Sequence, residues 1–239
     1  MEEIFDRTSK LITENGFNKL KNAKILIFGI GGVGGYTFES LVRMGIEHID
    51  IVDNDTFSPS NLNRQLYATI DTIGKCKVDV AIERAKSINP NCKVTAYKLF
   101  YLPNKESDII DFTKYDFVID AIDTITAKFD IVKKCYDYNV PIISCMGTGN
   151  RLDATKFKFS NICDTNNCKI AKLMRKYCND NNIKNLTVLY SDEPAKKIVV
   201  DNSTSTPASI SYVPAIAGLL LSQYVIQSLL KENYEKRIN

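Results

Sequence analysis

A short apolar run, KILIFG (residues 24–29), passes directly into Gly29-Ile30-Gly31-Gly32-Val33-Gly34. The run has the length and character of a buried strand. The residues behind it, Val33 to Met44, carry a helical pattern that Gly45 ends. A G-x-G-x-x-G turn between strand and helix constrains a chain severely. Its glycines permit a tight turn and let the backbone approach a phosphate, whose charge the helix N-terminus then favours. From the motif alone two readings are open: a dinucleotide site, as for NAD, or a glycine turn needed only for packing.

The same rhythm continues to about residue 150. HIDIVD (48–53) is a second strand, and Gly74 to Ile88 a helix stopped by Asn89-Pro90. KVTAYK (93–98) alternates like a strand, Glu106 to Phe112 is a short helix, and DFVID (116–120) is a strand. A helix from Ile125 to Tyr138 and a strand PIISCM (141–146) follow. Strands alternating with helices imply βαβ units and a parallel sheet covered on both faces. After Gly149 the rhythm changes to a strand-like FKFSNI, a basic helix from Lys169 to Tyr177, and a strand LTVLYS (186–191). A Ser/Thr/Pro-rich loop, Asp201 to Ala208, leads to an apolar helix opened by Pro214 and reaching about Leu230. The expected fold is α/β: a Rossmann-like, doubly wound, mostly parallel sheet with a C-terminal extension of strands and helices. Residues 1–150 form the nucleotide-binding part and 151–239 a basic extension of the same unit.

Composition narrows the class. Hydrophobic residues are 44% and charged residues 25% of the chain, the profile of a soluble globular protein and not of a disordered or fibrous one. The net charge of +3 excludes a histone-like polycation. Its distribution is uneven: residues 151–200 hold ten Lys/Arg against five acids, a +5 sector that leaves the remainder at −2. Such a sector is either the footprint of a polyanionic partner or a solvated lysine-rich surface. The most apolar segment, Val213 to Leu221, is ended by Ser222 and Gln223. A membrane span needs roughly 20 residues, so a core helix and no membrane partner are expected. The charged N-terminus has no signal-peptide character, which points to a cytoplasmic chain with reduced thiols.

The residues after the second strand favour a nucleoside triphosphate over a dinucleotide. Asp53 ends that strand, where an acid binds ribose hydroxyls. Asp55 can face a metal, and Arg64 can fork onto phosphate oxygens. Lys77, opening the helix after Gly74-Lys75-Cys76, is a second point charge. Asp120-Ala121-Ile122-Asp123 ends another strand at the same carboxyl edge of the sheet, where Asp123 suits Mg²⁺.

The set GIGGVG, DNDTFSPSNLNRQ, GKCK and DAID resembles the adenylation domain of ubiquitin-activating-like enzymes, the ThiF/MoeB/HesA superfamily. The resemblance implies a glycine turn of Gly29, Gly31, Gly32 and Gly34 against ATP, with Asp53 on ribose. It implies phosphate contacts from Asn61, Arg64 and Lys77, and Mg²⁺ on Asp55 and Asp123. FDRT near the start resembles the family's arginine segment, implying that Arg7 reaches the ATP phosphates of the neighbouring subunit in a homodimer. The implied chemistry is attack of a substrate carboxylate on the α-phosphate, with Arg7, Arg64, Lys77 and Asp123 as the catalytic set.

MGTGNRLDATKF (146–157) and SISYVPAIAGLLLSQYVI (209–226) resemble the TcdA branch, the tRNA threonylcarbamoyladenosine dehydratases. That implies a tRNA partner, carrying threonylcarbamoyladenosine beside its anticodon, whose threonine carboxylate is adenylated and then closed into a ring with loss of water. Adenylation of a ubiquitin-like sulfur carrier, and nucleotide or NAD binding without adenylation, are the alternatives. Many sulfur-carrier-activating relatives hold zinc through two CxxC pairs. Cys163, Cys168 and Cys178 do not have that spacing, so no zinc is expected. The chain has no cysteine after Cys178, which sets a sulfur-relay partner in doubt.

Other residues stay open. Cys145 reads as a small buried residue and His48 as remote from the carboxyl edge. Lys128 is either a phosphate contact or structural, and Arg151 reaches tRNA, substrate or neither. Tyr97, Phe100 and Tyr101 read as core in preference to base-stacking platforms.

Overall fold

The computed structural model describes residues 2–103, 109–197 and 207–238, apart from the side chains of residues 2 and 232–238. Among these residues seven strands form one sheet: β1 (Lys24–Phe28), β2 (His48–Val52), β3 (Lys93–Tyr97), β4 (Phe117–Asp120), β5 (Ile142–Cys145), β6 (Phe157–Asn161) and β7 (Thr187–Ser191). Their order is β3-β2-β1-β4-β5-β7-β6. Every pairing is parallel except β6 with β7, which is antiparallel. The chain winds outward from β1 to β3, then crosses to β4 on the other side. The carboxyl ends of β1 and β4 therefore flank the crevice where open α/β sheets bind ligands. The C-terminal strands extend the same sheet.

Among the described residues six α-helices accompany it: α1 (Asp6–Asn22), α2 (Gly34–Arg43), α3 (Lys77–Ile88), α4 (Ile125–Asp137), α5 (Lys169–Asp180) and α6 (Tyr212–Ile238). β1 shows why its run is continuously apolar. Side chains alternate across a strand, and here both faces are covered. Ile25 and Ile27 join Phe38, Leu41, Leu221 and Val225 on one face. Leu26 and Phe28 join Ala127, Ile131 and Cys135 on the other. A third cluster around Met174, Cys178, Ile183 and Val188 fixes α5 beside β7.

Among the described helices, α6 is long and apolar enough over Tyr212–Lys231 to cross a membrane by length and composition. In the fold Ala217, Leu221, Val225 and Leu230 are buried. Thr37 Oγ1 donates to the Gly218 carbonyl at 3.0 Å, and the Ser40 and Ser222 hydroxyls meet at 2.6 Å. A Cβ at position 218 would lie 2.3 Å from the Val33 carbonyl, so glycine sets how closely α6 approaches α2.

Three differences from the sequence reading have physical causes. Residues 6–22 form α1, which the pattern did not reveal. A break at Thr13 (φ 69, ψ 159) interrupts its periodicity, and the Thr13 hydroxyl caps the second segment by accepting from the Gly16 amide. The helix expected from Gly74 begins at Lys77, because residues 74–76 are pinned to the preceding loop. There the Phe57 amide donates to the Lys75 carbonyl, and Thr56 bridges Cys76. The short helix expected over 106–112 falls partly outside the described residues; a 3-10 turn at Phe112–Lys114 follows. Residues 201–206 of the expected Ser/Thr/Pro loop also lie outside the described residues.

Candidate nucleotide site

The glycine turn is built against β4. Gly29 has φ +91, and a Cβ there would sit 2.8 Å from the Ala121 carbonyl oxygen. A Cβ on Gly34 would lie 1.8 Å from the Gly29 carbonyl oxygen, so the turn closes on itself only with glycine at both ends. The loops beyond β1, β2, β4 and β5 surround a cavity of about 750 Å³, within the range of small-molecule sites. Gly29, Gly31 and Gly32 line it, and Gly34 lies within the turn that forms its wall.

Asp53 joins the turn to β2. Its carboxylate accepts from the Ile30 amide at 2.7 Å and from the Asp55 amide at 2.9 Å. Burial pushes this carboxyl up; the Lys77 charge and the two amides pull it back, and it remains above the ordinary value. Lys77, 5% exposed, donates to the exposed Asp55 at 2.7 Å. Asn61 is buried and its Oδ1 accepts from the Ser58 amide at 3.0 Å, fixing the loop that carries Arg64. Arg64 Nη1 donates to the Ser60 carbonyl and to Asn63 Oδ1. Asp123, exposed, follows β4, and it lines the cavity as do Asp53, Asp55, Asn61, Arg64 and Lys77. Arg7 is the exception: it is exposed on the first turn of α1 and is not part of this cavity's wall.

Several residues take roles that the sequence left open or missed. Lys128 is fully buried, in an ion pair with Asp120, and donates to the Ile122 carbonyl at 3.0 Å. It is not part of the cavity wall. Gln65 was not singled out by its sequence; it is buried in the wall, and its Oε1 has no hydrogen-bond partner. Only burial reveals it. Tyr101 packs edge-on against Phe28 in the core and lines the cavity together with the exposed Phe100. Cys145 forms part of the floor, and burial pushes its thiol up to about 12, so it stays protonated at neutral pH. His48 begins β2, at the opposite end of the strand from the cavity.

The cavity thus gathers backbone amides, four cationic side chains (Arg64, Lys77, Arg151 and Lys169) and the carboxylates of Asp53, Asp55 and Asp123, with no histidine among its described lining residues. A set of this chemistry suits a polyphosphate and could hold a hard divalent cation. Among the described residues no three His, Cys, Asp or Glu side chains converge. A metal here would take one or two protein carboxylates and complete its shell with phosphate oxygens and water, as Mg²⁺ does.

Comparison with known proteins is consistent along the chain. The ThiF family model matches residues 5–239. The tRNA threonylcarbamoyladenosine dehydratase of Bacillus subtilis is 36% identical over 98% of this chain and 97% of its own. That of Haemophilus influenzae is 34% identical over 86% of this chain and 76% of its own. An adenylyltransferase and sulfurtransferase of Kluyveromyces lactis is 33% identical, but the match spans 66% of this chain and 35% of that protein. The crystal structure of the Escherichia coli dehydratase in complex with ATP superposes with a TM-score of 0.87 at 26% identity, covering 98% of this chain and 96% of that one. With this match through both the nucleotide part and the C-terminal extension, the chain belongs to the ThiF family.

Proposed function

We propose that this protein is an ATP-dependent tRNA threonylcarbamoyladenosine dehydratase. The observation that carries the reading is that the glycine turn, Asp53, the Lys77–Asp55 pair and Asp123 meet in one cavity at the carboxyl edge of the sheet. The near end-to-end similarity to named dehydratases supports the substrate.

In this reading the glycine turn cradles the triphosphate and Asp53 accepts from the ribose hydroxyls. Arg64 and Lys77 hold phosphate oxygens, with the Asn61 loop positioning Arg64. Lys77 is presented by its pairing with Asp55 and moves onto phosphate when nucleotide binds. Mg²⁺, held by Asp55 and Asp123, would neutralise phosphate charge. The threonine carboxylate attacks the α-phosphorus and displaces pyrophosphate. An atom of the substrate itself then attacks the activated acyl carbon, closes the ring and releases AMP, which carries away the carboxylate oxygen. No protein nucleophile is required, in keeping with the protonated Cys145. The protein's contribution is positioning and charge neutralisation.

The acceptor RNA meets the basic extension. Lys169, Lys172 and Lys176 are exposed on α5, and Lys169 also lines the cavity. A phosphate backbone can therefore run along this helix into the site. The working unit is a homodimer, in which Arg7 completes the partner's site. Tyr212, Ile216 and Leu219 form an exposed stripe on α6 at spacings of four and three, which supports an interface with a second copy. The protein acts in the cytoplasm, where its seven thiols stay reduced. Mass spectrometry of tRNA nucleosides from a deletion strain tests the reading. Loss of the cyclic nucleoside with accumulation of its open precursor is expected; persistence of the cyclic form, with no paralogue present, rejects it.

A further inference from the structure

Three basic side chains are buried among the described residues: Lys77, Lys128 and Arg151. Lys77 pairs with Asp55 and Lys128 with Asp120. Arg151, 3% exposed, lines the cavity and has no carboxylate within ion-pair distance among the described residues. Its Nε donates to the Gly147 carbonyl and its Nη2 to the Asn167 carbonyl, both at 3.2 Å. Its Nη1 is buried with no hydrogen-bond partner. Two acids of the adjoining segments are engaged elsewhere. Asp153 accepts from the Thr155 amide, and Glu193 accepts from the Leu152 and Asp153 amides. An unpaired cation and an unmet donor are both costly to bury, so this position suits an anion.

The surrounding loop is firmly held. Asn150 exchanges hydrogen bonds with Ala208 through its amide at 2.8 Å and its Oδ1 at 2.7 Å, and its carbonyl accepts from the Lys196 amide at 2.8 Å. The loop follows β5, one strand beyond β4, whereas the glycine turn, Arg64 and Lys77 lie on the β1 and β2 side. Phosphate charge is therefore met at one end of the cavity, and a second oxyanion is called for at the other.

We propose that Arg151 is the anchor for the substrate's carboxylate, holding the threonine carboxyl group through Nη1 while the nucleotide occupies the glycine-turn end. This rests on the functional reading above and deepens it: the guanidinium distinguishes tRNA that bears the modification from tRNA that does not. It is a binding and positioning group, and the reacting carboxylate oxygen is the one it leaves free.

The test compares wild-type protein with R151M and R151K. Fluorescence anisotropy measures binding of a tRNA carrying threonylcarbamoyladenosine and of the same tRNA with unmodified adenosine; ATP affinity and conversion are measured in parallel. A lost charge-assisted contact weakens binding about 10- to 100-fold. Wild-type protein is expected to prefer modified tRNA by that factor, R151M to lose the preference, and R151K to keep part of it, with ATP affinity within about twofold throughout. A preference that survives in R151M overturns the proposal. So does an ATP affinity that falls as far as the tRNA affinity, which would make a nucleotide phosphate the anion. If R151M does not fold, an undiminished preference in R151K overturns it. A wild-type protein that converts modified tRNA but binds both tRNAs alike removes the anchor and leaves the functional reading standing. One that converts nothing removes the functional reading as well.

Discussion

Lys128 and Asp120 face each other at 2.9 Å with neither side chain exposed to water. The Ser144 hydroxyl also donates to Asp120, and Lys128 reaches the Ile122 carbonyl. The end of β4, the start of α4 and β5 are thereby tied together beneath the loop that carries Asp123. Removing one partner of such a pair leaves an uncompensated buried charge, which costs about 3–5 kcal/mol. K128A is expected to lose that much in urea unfolding. K128M combined with D120N is expected to recover most of it, because well-packed neutral replacements avoid the orphaned charge.

Glu39 on α2 accepts from Arg43 and from Arg84 of α3 at 2.7–3.0 Å. Burial pushes its carboxyl up, but the hydrogen bonds and charges of the two arginines together outweigh that and hold it below the ordinary value. A depressed acid contributes stability that is fully present above the unfolded-state value of about 4.3 and is lost as pH falls through the lower folded-state value. Both arginines are about half exposed, so the screened contribution is about 1 kcal/mol. E39Q is expected to be that much less stable at neutral pH, and the gap to wild type should close in acid unfolding curves below the glutamate range.

Gly34→Ala places a methyl group where the Gly29 carbonyl already stands. The turn must open, at a cost of at least about 1–3 kcal/mol by comparison with overpacked cores. Calorimetry should show a lower Tm and no detectable heat of ATP binding. Normal ATP affinity in G34A would contradict the cradle assigned to the turn.

If two copies share their sites through Arg7, then R7A and K77A homodimers are each inactive, and subunit exchange between them restores activity by leaving one intact site per mixed dimer. L219E, on the exposed α6 stripe, should sediment as a monomer and should not be rescued by mixing. A fully active monomer would remove Arg7 from the mechanism.

If tRNA lies along α5, its lysines contribute to affinity through released counterions. Replacing Lys169, Lys172 and Lys176 together should weaken binding and reduce the slope of log affinity against log salt by about 2–3, near 0.9 per lost phosphate contact. An unchanged slope would show that the basic sector is a solvated surface.

The features legible in the sequence are those carried by local spacing. The glycine turn, the alternation that builds a parallel sheet, and the acids and bases just past β2 and β4 all depend on neighbours along the chain. What was not legible depends on how elements fold back on one another or on burial. The pairing of Lys128 with Asp120 requires the α4 helix to be folded back beside the β4 end. Gln65 declares itself only because the fold takes an unpartnered polar atom out of water, and the same kind of burial narrows the readings that the sequence left open for Arg151. α1 was hidden for a different reason: the left-handed backbone at Thr13 divides it into two short segments, neither with enough turns to show a clear stripe.

The central claim is that this cavity activates a carboxylate on the α-phosphate of ATP. It is tested most directly by preparing threonylcarbamoyladenosine-bearing tRNA with heavy oxygen in the threonine carboxylate, incubating it with protein and ATP, and analysing the nucleotide products by mass spectrometry. One heavy oxygen is expected in AMP as the cyclic nucleoside forms. Formation of the cyclic nucleoside with the label in ADP, inorganic phosphate or water, and none in AMP, would contradict it.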